Sequence, residues 1–325
     1  MVDAGRSDCA RASGAGRLPA VRRLALLAVV VLALSLGAAA PAPAADLGVS
    51  PAPPPAPGGS VGWSPTGRQA LGRPVLFTGT ANGAFVAWMD PQLTKLAVVP
   101  GTGDPLGSPW GGQVSSGQQP FLVSSFNGGF KWGDFDGGVL AFGASYRSPV
   151  GGQASLIAYD DGSYTVGAWG RDNDPDKQVV ALRQNLGMLV DGGAPTPAAS
   201  NPGAWGASVA GVATARGGVG VDANGGLIWA GGRVSPLDLA NALIAAGAVR
   251  GMQLDINPDR VGFNSYDVGP DNVAHGNGLY GATGANRYLS PDTRDFVAVF
   301  IRGTVATGAT AKLGAGALQT SVTVK

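Results

Sequence analysis

The sequence predicts an α+β fold: a strand-rich single domain with a mixed sheet and a few packed helices, set behind an N-terminal export segment. Three observations point there. Short apolar runs alternate with Gly- and Asn-containing turns along most of the chain. One stretch, 235–247, has both the periodicity and the end signals of a helix. A basic cluster followed by an apolar stretch opens the chain.

The opening comes first. Arg6, Arg11, Arg17, Arg22 and Arg23 precede a continuous apolar or small stretch over 24–40, which runs into Ala40-Pro41-Ala42-Pro43-Ala44-Ala45. A basic region, an apolar region and a small-residue end describe an export signal; the same stretch could remain as a membrane anchor. Residues 1–45 are therefore read as signal peptide or N-terminal anchor, with the body exported, either secreted or held at the outer face of the cytoplasmic membrane. The Pro-rich segment 46–60 is a linker with no capacity for a core. The folded domain spans 61–325, with its core over about 84–302.

Within the body, predicted strands over 73–79 and 84–89 flank Ala81-Asn82-Gly83, a hairpin signal because Asn-Gly accepts positive φ. A strand over 93–99 follows. Strands over 154–159 and 163–168 flank Asp161-Gly162, and strands over 219–221 and 227–229 flank Asp222-Ala223-Asn224-Gly225. Ser235 is a natural N-cap, Pro236 suits the first helical position, and Asp238 complements the positive end of the helix dipole. Leu237, Ala240, Leu243 and Ile244 form one apolar face, and Gly247 stops the helix. A buried strand over 252–256 comes next, and 296–301 is a late apolar strand.

Composition excludes several classes of function. Of 325 residues, 45% are hydrophobic, ample for a core, and 13% are charged, about half the usual share. The net charge of +1 hides an uneven spread. Setting aside the five N-terminal arginines with Asp3 and Asp8 leaves 17 basic against 19 acidic residues. Such a body has no concentrated basic surface, so nucleic acid is not an expected partner, and membrane contact is expected only through the N-terminal segment. Cys9 is the only cysteine and lies ahead of the apolar stretch. The body therefore has neither a disulfide nor a thiol nucleophile, and His/Cys zinc sites are excluded by count. His275 is the only histidine, and no Gly-x-Ser-x-Gly elbow accompanies it. Every acidic residue is Asp, so carboxylate chemistry must use the short side chain.

Polar residues recur where apolar runs end. Phe126-Asn127-Gly128-Gly129-Phe130 follows the strand-like Phe121-Leu122-Val123. Arg183-Gln184-Asn185-Leu186, Leu189-Val190-Asp191-Gly192-Gly193 and Arg216-Gly217-Gly218 follow, and Leu254-Asp255-Ile256-Asn257 ends a buried strand. Buried polar groups at such ends are either satisfied caps or a site. Asn127-Gly128-Gly129 is a tight turn or a set of amides for a sugar or phosphate oxygen. Arg216 is a surface charge or a planar clamp for a phosphodiester, and Arg183 is a second candidate or a structural partner for Asp191. Asp191 before Gly-Gly is a turn residue or a second carboxyl. With Glu absent, Asp255 and Asp191 are the pair for acid–base work on a glycosidic bond. Trp132 is packing or a sugar-stacking face. Asp134 with Asp136, or Asp172 with Asp174 and Asp176, could hold Ca²⁺ or Mg²⁺, although neither run completes an EF-hand; solvated turns are the other reading.

The order of these segments resembles the phosphodiester glycosidase family, in its actinobacterial-type branch. The resemblance runs over roughly 86–266, and the branch form rests on Val86-Ala87-Trp88-Met89-Asp90 and Leu254-Asp255-Ile256-Asn257-Pro258. It implies hydrolysis of a glycosyl-1-phosphodiester, releasing sugar and phosphomonoester, in cell-envelope or exopolysaccharide glycans. It also implies that Asn127, Gly128, Gly129, Arg216 and Asp255 line the site, with Asp191 in or beside it; Arg183, Asn257 and Trp132 are the remaining candidates for contact with substrate. The chain departs from the family at one place. Ile256-Asn257-Pro258-Asp259 stands where a Gly-Gly-Gly-Ser-like run is usual, and Pro258 has no N–H to offer a phosphate. A non-catalytic glycan- or phosphoglycan-binding protein on the same scaffold is the alternative. An envelope structural factor with an unused cleft is a third.

Overall fold

Apolar runs broken by turns with positive φ produce three antiparallel sheets. A computed structural model of the chain describes residues 55–206, 213–281 and 284–303; the export segment and most of the linker expected over 1–60 lie outside them, as does 304–325. An eight-stranded sheet runs in the order Ser64–Pro65, Leu76–Ala81, Ala84–Met89, Leu227–Val234, Thr214–Asp222, Ala248–Gln253, Met188–Asp191 and Ala194–Pro195. A five-stranded sheet runs Tyr164–Ala168, Ala154–Tyr159, Val179–Gln184, Val139–Ala141 and Ala144–Arg147. A second five-stranded sheet runs Ala274–Tyr280, Phe263–Val268, Leu122–Asn127, Phe296–Ile301 and Thr94–Val99. A short ribbon pairs Gln69–Ala70 with Arg73–Pro74.

The three hairpins form where the turn residues place them. Asn82 at φ 47° and Gly83 at φ 75° join Leu76–Ala81 to Ala84–Met89, the paired positive φ that a two-residue hairpin needs. Gly162 and Gly225 supply the positive φ of the other two.

Side-chain alternation explains how the sheets pack. In Ala84–Met89, Ala84, Val86 and Trp88 face one cluster while Ala87 and Met89 face another. In Phe296–Ile301, Val297 and Val299 point to the shared core, and Phe296, Ala298 and Phe300 point to a separate cluster with Tyr288. Residues of all three large sheets meet in that shared core: Met89, Val219 and Trp229 from the first, Leu156 and Val166 from the second, Phe126 and Val297 from the third. Strands buried on both faces read as continuous apolar runs rather than as a clean alternation.

The α+β expectation does not hold. Among the described residues the fold is mostly β, with one α-helix, Pro236–Ala245, and a few short 3₁₀ turns. The pairings are antiparallel throughout, so the sheets are not mixed. The physical reason lies in the turns. Tight turns close the hairpins directly, and of the longer connections among the described residues only 235–247 carries both helical periodicity and end signals. The single helix forms where every terminal signal coincides. Ser235 Oγ accepts from the Asp238 amide, the Asp238 carboxylate accepts from the Ser235 amide, and Pro236 opens the first turn. Its Leu239, Ala240 and Leu243 cover the outer face of the eight-stranded sheet.

Candidate functional site

Five segments converge at one end of the sheets. Gly128 ties its own turn to two of the others through main-chain bonds. Its N–H donates to Asp295 O at 3.2 Å, and its carbonyl accepts from Asp255 N at 3.1 Å. Gly217 N donates to Asp255 O at 3.1 Å, and Leu254 N to Gly217 O at 2.7 Å. The Asn127-Gly128-Gly129 turn thus bridges the residue before the strand Phe296–Ile301 to the segment that follows Ala248–Gln253, and that segment is bonded in turn to Gly217 within Thr214–Asp222. Asn185 fastens the same seam: its Oδ1 accepts from Phe130 N at 3.1 Å, and its Nδ2 donates to the carbonyls of Gln253 and Leu254 at 3.0 and 3.2 Å.

The glycines are required by close approach. A Cβ on Gly128 would lie 2.0 Å from Asp295 Oδ2, and one on Gly129 would lie 2.9 Å from Arg183 Cζ. A Cβ on Gly217 would press on the Asn127 amide at 3.0 Å. The Asn127 side chain is itself satisfied, with Nδ2 donating to Gly128 O at 3.0 Å and Oδ1 accepting from Gly262 N at 3.3 Å.

Asp255 is 7% exposed. Its Oδ1 accepts from the amides of Ile256 and Asn257 at 2.7 and 3.1 Å, and its Oδ2 lies 3.4 Å from Arg294 Nη2. Burial pushes its pKa above the usual carboxylate range; Arg294 and the two amides oppose the shift, and Asp295 adds to it. The Arg294 Nη2 also donates to Gly129 O at 3.0 Å, so one guanidinium links the acid to the glycine turn.

Arg183 is buried and spends its guanidinium on structure: Nε and Nη2 on Asp295, Nη1 on Gln184 O, and Nη2 also on Phe130 O. It also sits 4.2 Å from the Phe135 ring centroid. Its partner is Asp295 rather than Asp191.

Arg216 is wholly buried and behaves differently. Nε donates to Val234 O at 3.1 Å, and Nη1 donates to Trp205 O at 3.0 Å and Gln253 Oε1 at 2.8 Å. Its Nη2 has no acceptor, and no carboxylate pairs with it among the described residues. Burial alone lowers its pKa. Val234 and Trp205 belong to the cluster under the helix, so the guanidinium lies on that face of the sheet, whereas Gly217, one residue on, faces Asn127. The two regions touch through Gly206, where a Cβ would lie 2.5 Å from Ile256 Cδ1.

The remaining candidates lie as follows. Asp191 sits at the exposed end of its strand in a two-pronged pair with Arg171, at 2.8 and 3.0 Å; no described hydrogen bond or ion pair joins it to Asp255. Asn257 is exposed and caps its own turn, accepting from Asp259 N at 2.9 Å. Trp132 is half-buried in an apolar patch with Phe130, Phe135 and Ile256, and its Nε1 donates to Asp104. His275 is exposed on the strand Ala274–Tyr280. Asp134 and Asp136 lie near Lys131 and Arg147, and Asp172 and Asp174 near Arg171 and Lys177. Among the described residues no three His, Cys or Asp side chains group as a metal site would require.

Sequence reasoning missed Arg294, Asp295 and Asp104. The signal for the first two was present: Asp292-Thr293-Arg294-Asp295 stands directly before the apolar run Phe296–Ile301. It is the same strand-end rule, applied at a strand's start. Asp104 gave a weaker signal, because a Gly- and Pro-containing loop separates it from the end of the apolar strand Thr94–Val99.

No family model matches the sequence, and no curated protein matches it. Among solved structures, the chain is similar to the zebrafish N-acetylglucosamine-1-phosphodiester α-N-acetylglucosaminidase catalytic domain auto-inhibited by its pro-peptide. The identity is 17% and the TM-score 0.48, over 75% of this chain and 88% of that one. It is also similar to a hypothetical protein from Synechocystis, at 11% identity and TM-score 0.43, over 74% of this chain and 64% of that one. The first is a distant likeness of fold. It assigns to this chain no branch of a family, no activity and no site residue.

Proposed function

We propose that this chain is an exported hydrolase of glycosyl-1-phosphodiesters in cell-envelope or exopolysaccharide glycans. The observation that carries the reading is Asp255: a buried carboxyl held at a strand end, with its proton favoured by burial, one oxygen toward Arg294, and the glycine turn alongside. A carboxyl of this kind can give a proton to a departing phosphate oxygen and take one from the attacking water. A phosphomonoester leaves with less help than an alkoxide, so one carboxyl with a cationic clamp meets the chemical need. Arg294 supplies positive charge beside that carboxyl. Arg216 stays outside this reading, because its guanidinium is wholly buried on the helix side of the sheet, toward Trp205 and Val234. Trp132 and Phe130 supply an apolar wall for a sugar face.

One observation favours the alternative, a glycan- or phosphoglycan-binding protein without turnover. Asp255 Oδ1 is already engaged by two amides, and the Ile256-Asn257-Pro258 turn closes around it as a structural cap would. Turnover by the purified protein across a panel of sugar-1-phosphodiesters separates the two. Hydrolysis that is lost in Asp255→Asn supports the enzyme. Binding of the same compounds without hydrolysis supports the alternative. Full activity in Asp255→Asn refutes the assignment of that residue.

A further inference from the structure

The contact between Trp132 and Asp104 is costlier than packing requires. An indole N–H is satisfied by any carbonyl or water. Here its acceptor is the carboxylate of Asp104, 7% exposed, with its other oxygen accepting from Gly101 N at 2.7 Å. Burial raises the pKa of Asp104, and nearby Asp295 raises it further. Keeping a desolvated carboxyl for a half-buried indole is unfavourable unless the orientation of the ring matters.

The loop that carries Asp104 is tied to the site. Thr102 N donates to Asp292 O at 2.8 Å, and Gly103 N to Thr293 O at 3.2 Å. A Cβ on Gly101 would lie 2.3 Å from the Thr293 carbonyl carbon, so the loop lies directly on the segment that presents Arg294 and Asp295. The indole ring is pinned a second time, by the Arg147 guanidinium 4.4 Å from its centroid. Trp132 packs against a small cluster that includes Phe130, and Ile256 packs against the same cluster; these two residues follow Gly129 and Asp255 in the chain. The strap that holds the indole thus also lies against the segment that leads into Arg294 and Asp295.

We propose that Asp104 is a positioning residue that sets the Trp132 indole as the platform for the sugar ring of the ligand. This rests on the proposed reading of the site, and it assigns to Trp132 recognition of the sugar moiety rather than of the phosphate. Pyranose rings stack their C–H faces on aromatic rings, and a platform discriminates only if its plane is held.

The test measures binding rather than turnover, so it stands whether or not the chain is a hydrolase. Calorimetry with the full chain compares a hexose 1-phosphate with inorganic phosphate in the wild type, Trp132→Ala, Trp132→Phe and Asp104→Ala, with near-ultraviolet circular dichroism confirming the fold. The wild type should prefer the sugar phosphate by about tenfold. That preference should vanish in Trp132→Ala. In Asp104→Ala, which removes the acceptor, and in Trp132→Phe, which keeps a ring without its N–H, it should fall only in part, to about threefold, while affinity for phosphate stays within about twofold. An equal affinity for both ligands in the wild type, or no binding of either, overturns the proposal. So does a preference that survives in Trp132→Ala or is untouched in a folded Asp104→Ala. If Asp104→Ala fails to fold, the comparison of Trp132→Phe with Trp132→Ala decides: equal loss in both, or no loss in Trp132→Phe, overturns a role for the indole's fixed orientation. Loss of turnover with the sugar preference intact would instead strike at the hydrolase reading alone.

Discussion

Arg183 and Asp295 form a two-pronged ion pair inside the protein, with Nε to Oδ2 at 2.6 Å and Nη2 to Oδ1 at 3.3 Å, and both side chains almost fully removed from solvent. The pair spans two sheets and carries Gly128 and Gly129 on its back, since neither glycine leaves room for a Cβ against it. Removing one partner of a buried pair strands the other charge. Asp295→Ala should therefore cost about 3–5 kcal/mol in urea unfolding, and the double variant with Arg183→Met should recover part of that loss. A single-variant cost of about 1 kcal/mol, as for an exposed pair, would show that the seam is held by other means.

Asp255 should trade stability for function. Its folded-state pKa is raised, so its contribution to stability is fully present below the ordinary carboxylate value and is lost as pH rises through the folded value. In Asp255→Asn that loss does not occur. Thermal unfolding of the two proteins should coincide more closely in acid and diverge toward neutral pH, with the variant the more stable. A variant that melts lower at neutral pH would identify the carboxylate as a net structural cap.

Asp222 should matter for folding and not for any ligand. Its Oδ2 accepts from Trp88 Nε1 at 2.7 Å, and its Oδ1 accepts from Asn224 N and Gly226 N, both at 2.8 Å. Asp222→Ala leaves a buried indole N–H without a partner and should cost about 1–3 kcal/mol by chemical denaturation, with ligand affinity unchanged.

The helix depends on its cap. Ser235→Ala removes the acceptor of the Asp238 amide and should cost about 1 kcal/mol, read as a lower denaturation midpoint with an unchanged slope.

Much of the local structure could be read directly from residues. Ala81-Asn82-Gly83 announced its hairpin, and Ser235-Pro236-Leu237-Asp238 announced its helix, because each encodes a backbone conformation locally. The fold class was harder to read, since the pairing of distant strands is not a local property. The site was legible in part. Strand ends pointed to Asn127 and Asp255, which main-chain bonds to Gly128 bring together. They did not reveal which face each side chain would take. Arg216 and Gly217 are neighbours in sequence, yet alternation sends one toward Trp205 and the other toward Asn127. Asp104 reaches the site only through contacts between loops that no periodicity records.

A chain without glutamate holds each of its acids on a single methylene. Asp104, Asp255 and Asp295 consequently have little reach of their own, and where each carboxyl stands is decided by the main chain beneath it. Adapting such a centre to a differently shaped ligand would mean shifting a loop or a strand terminus, since no long flexible stem is present to take up the slack.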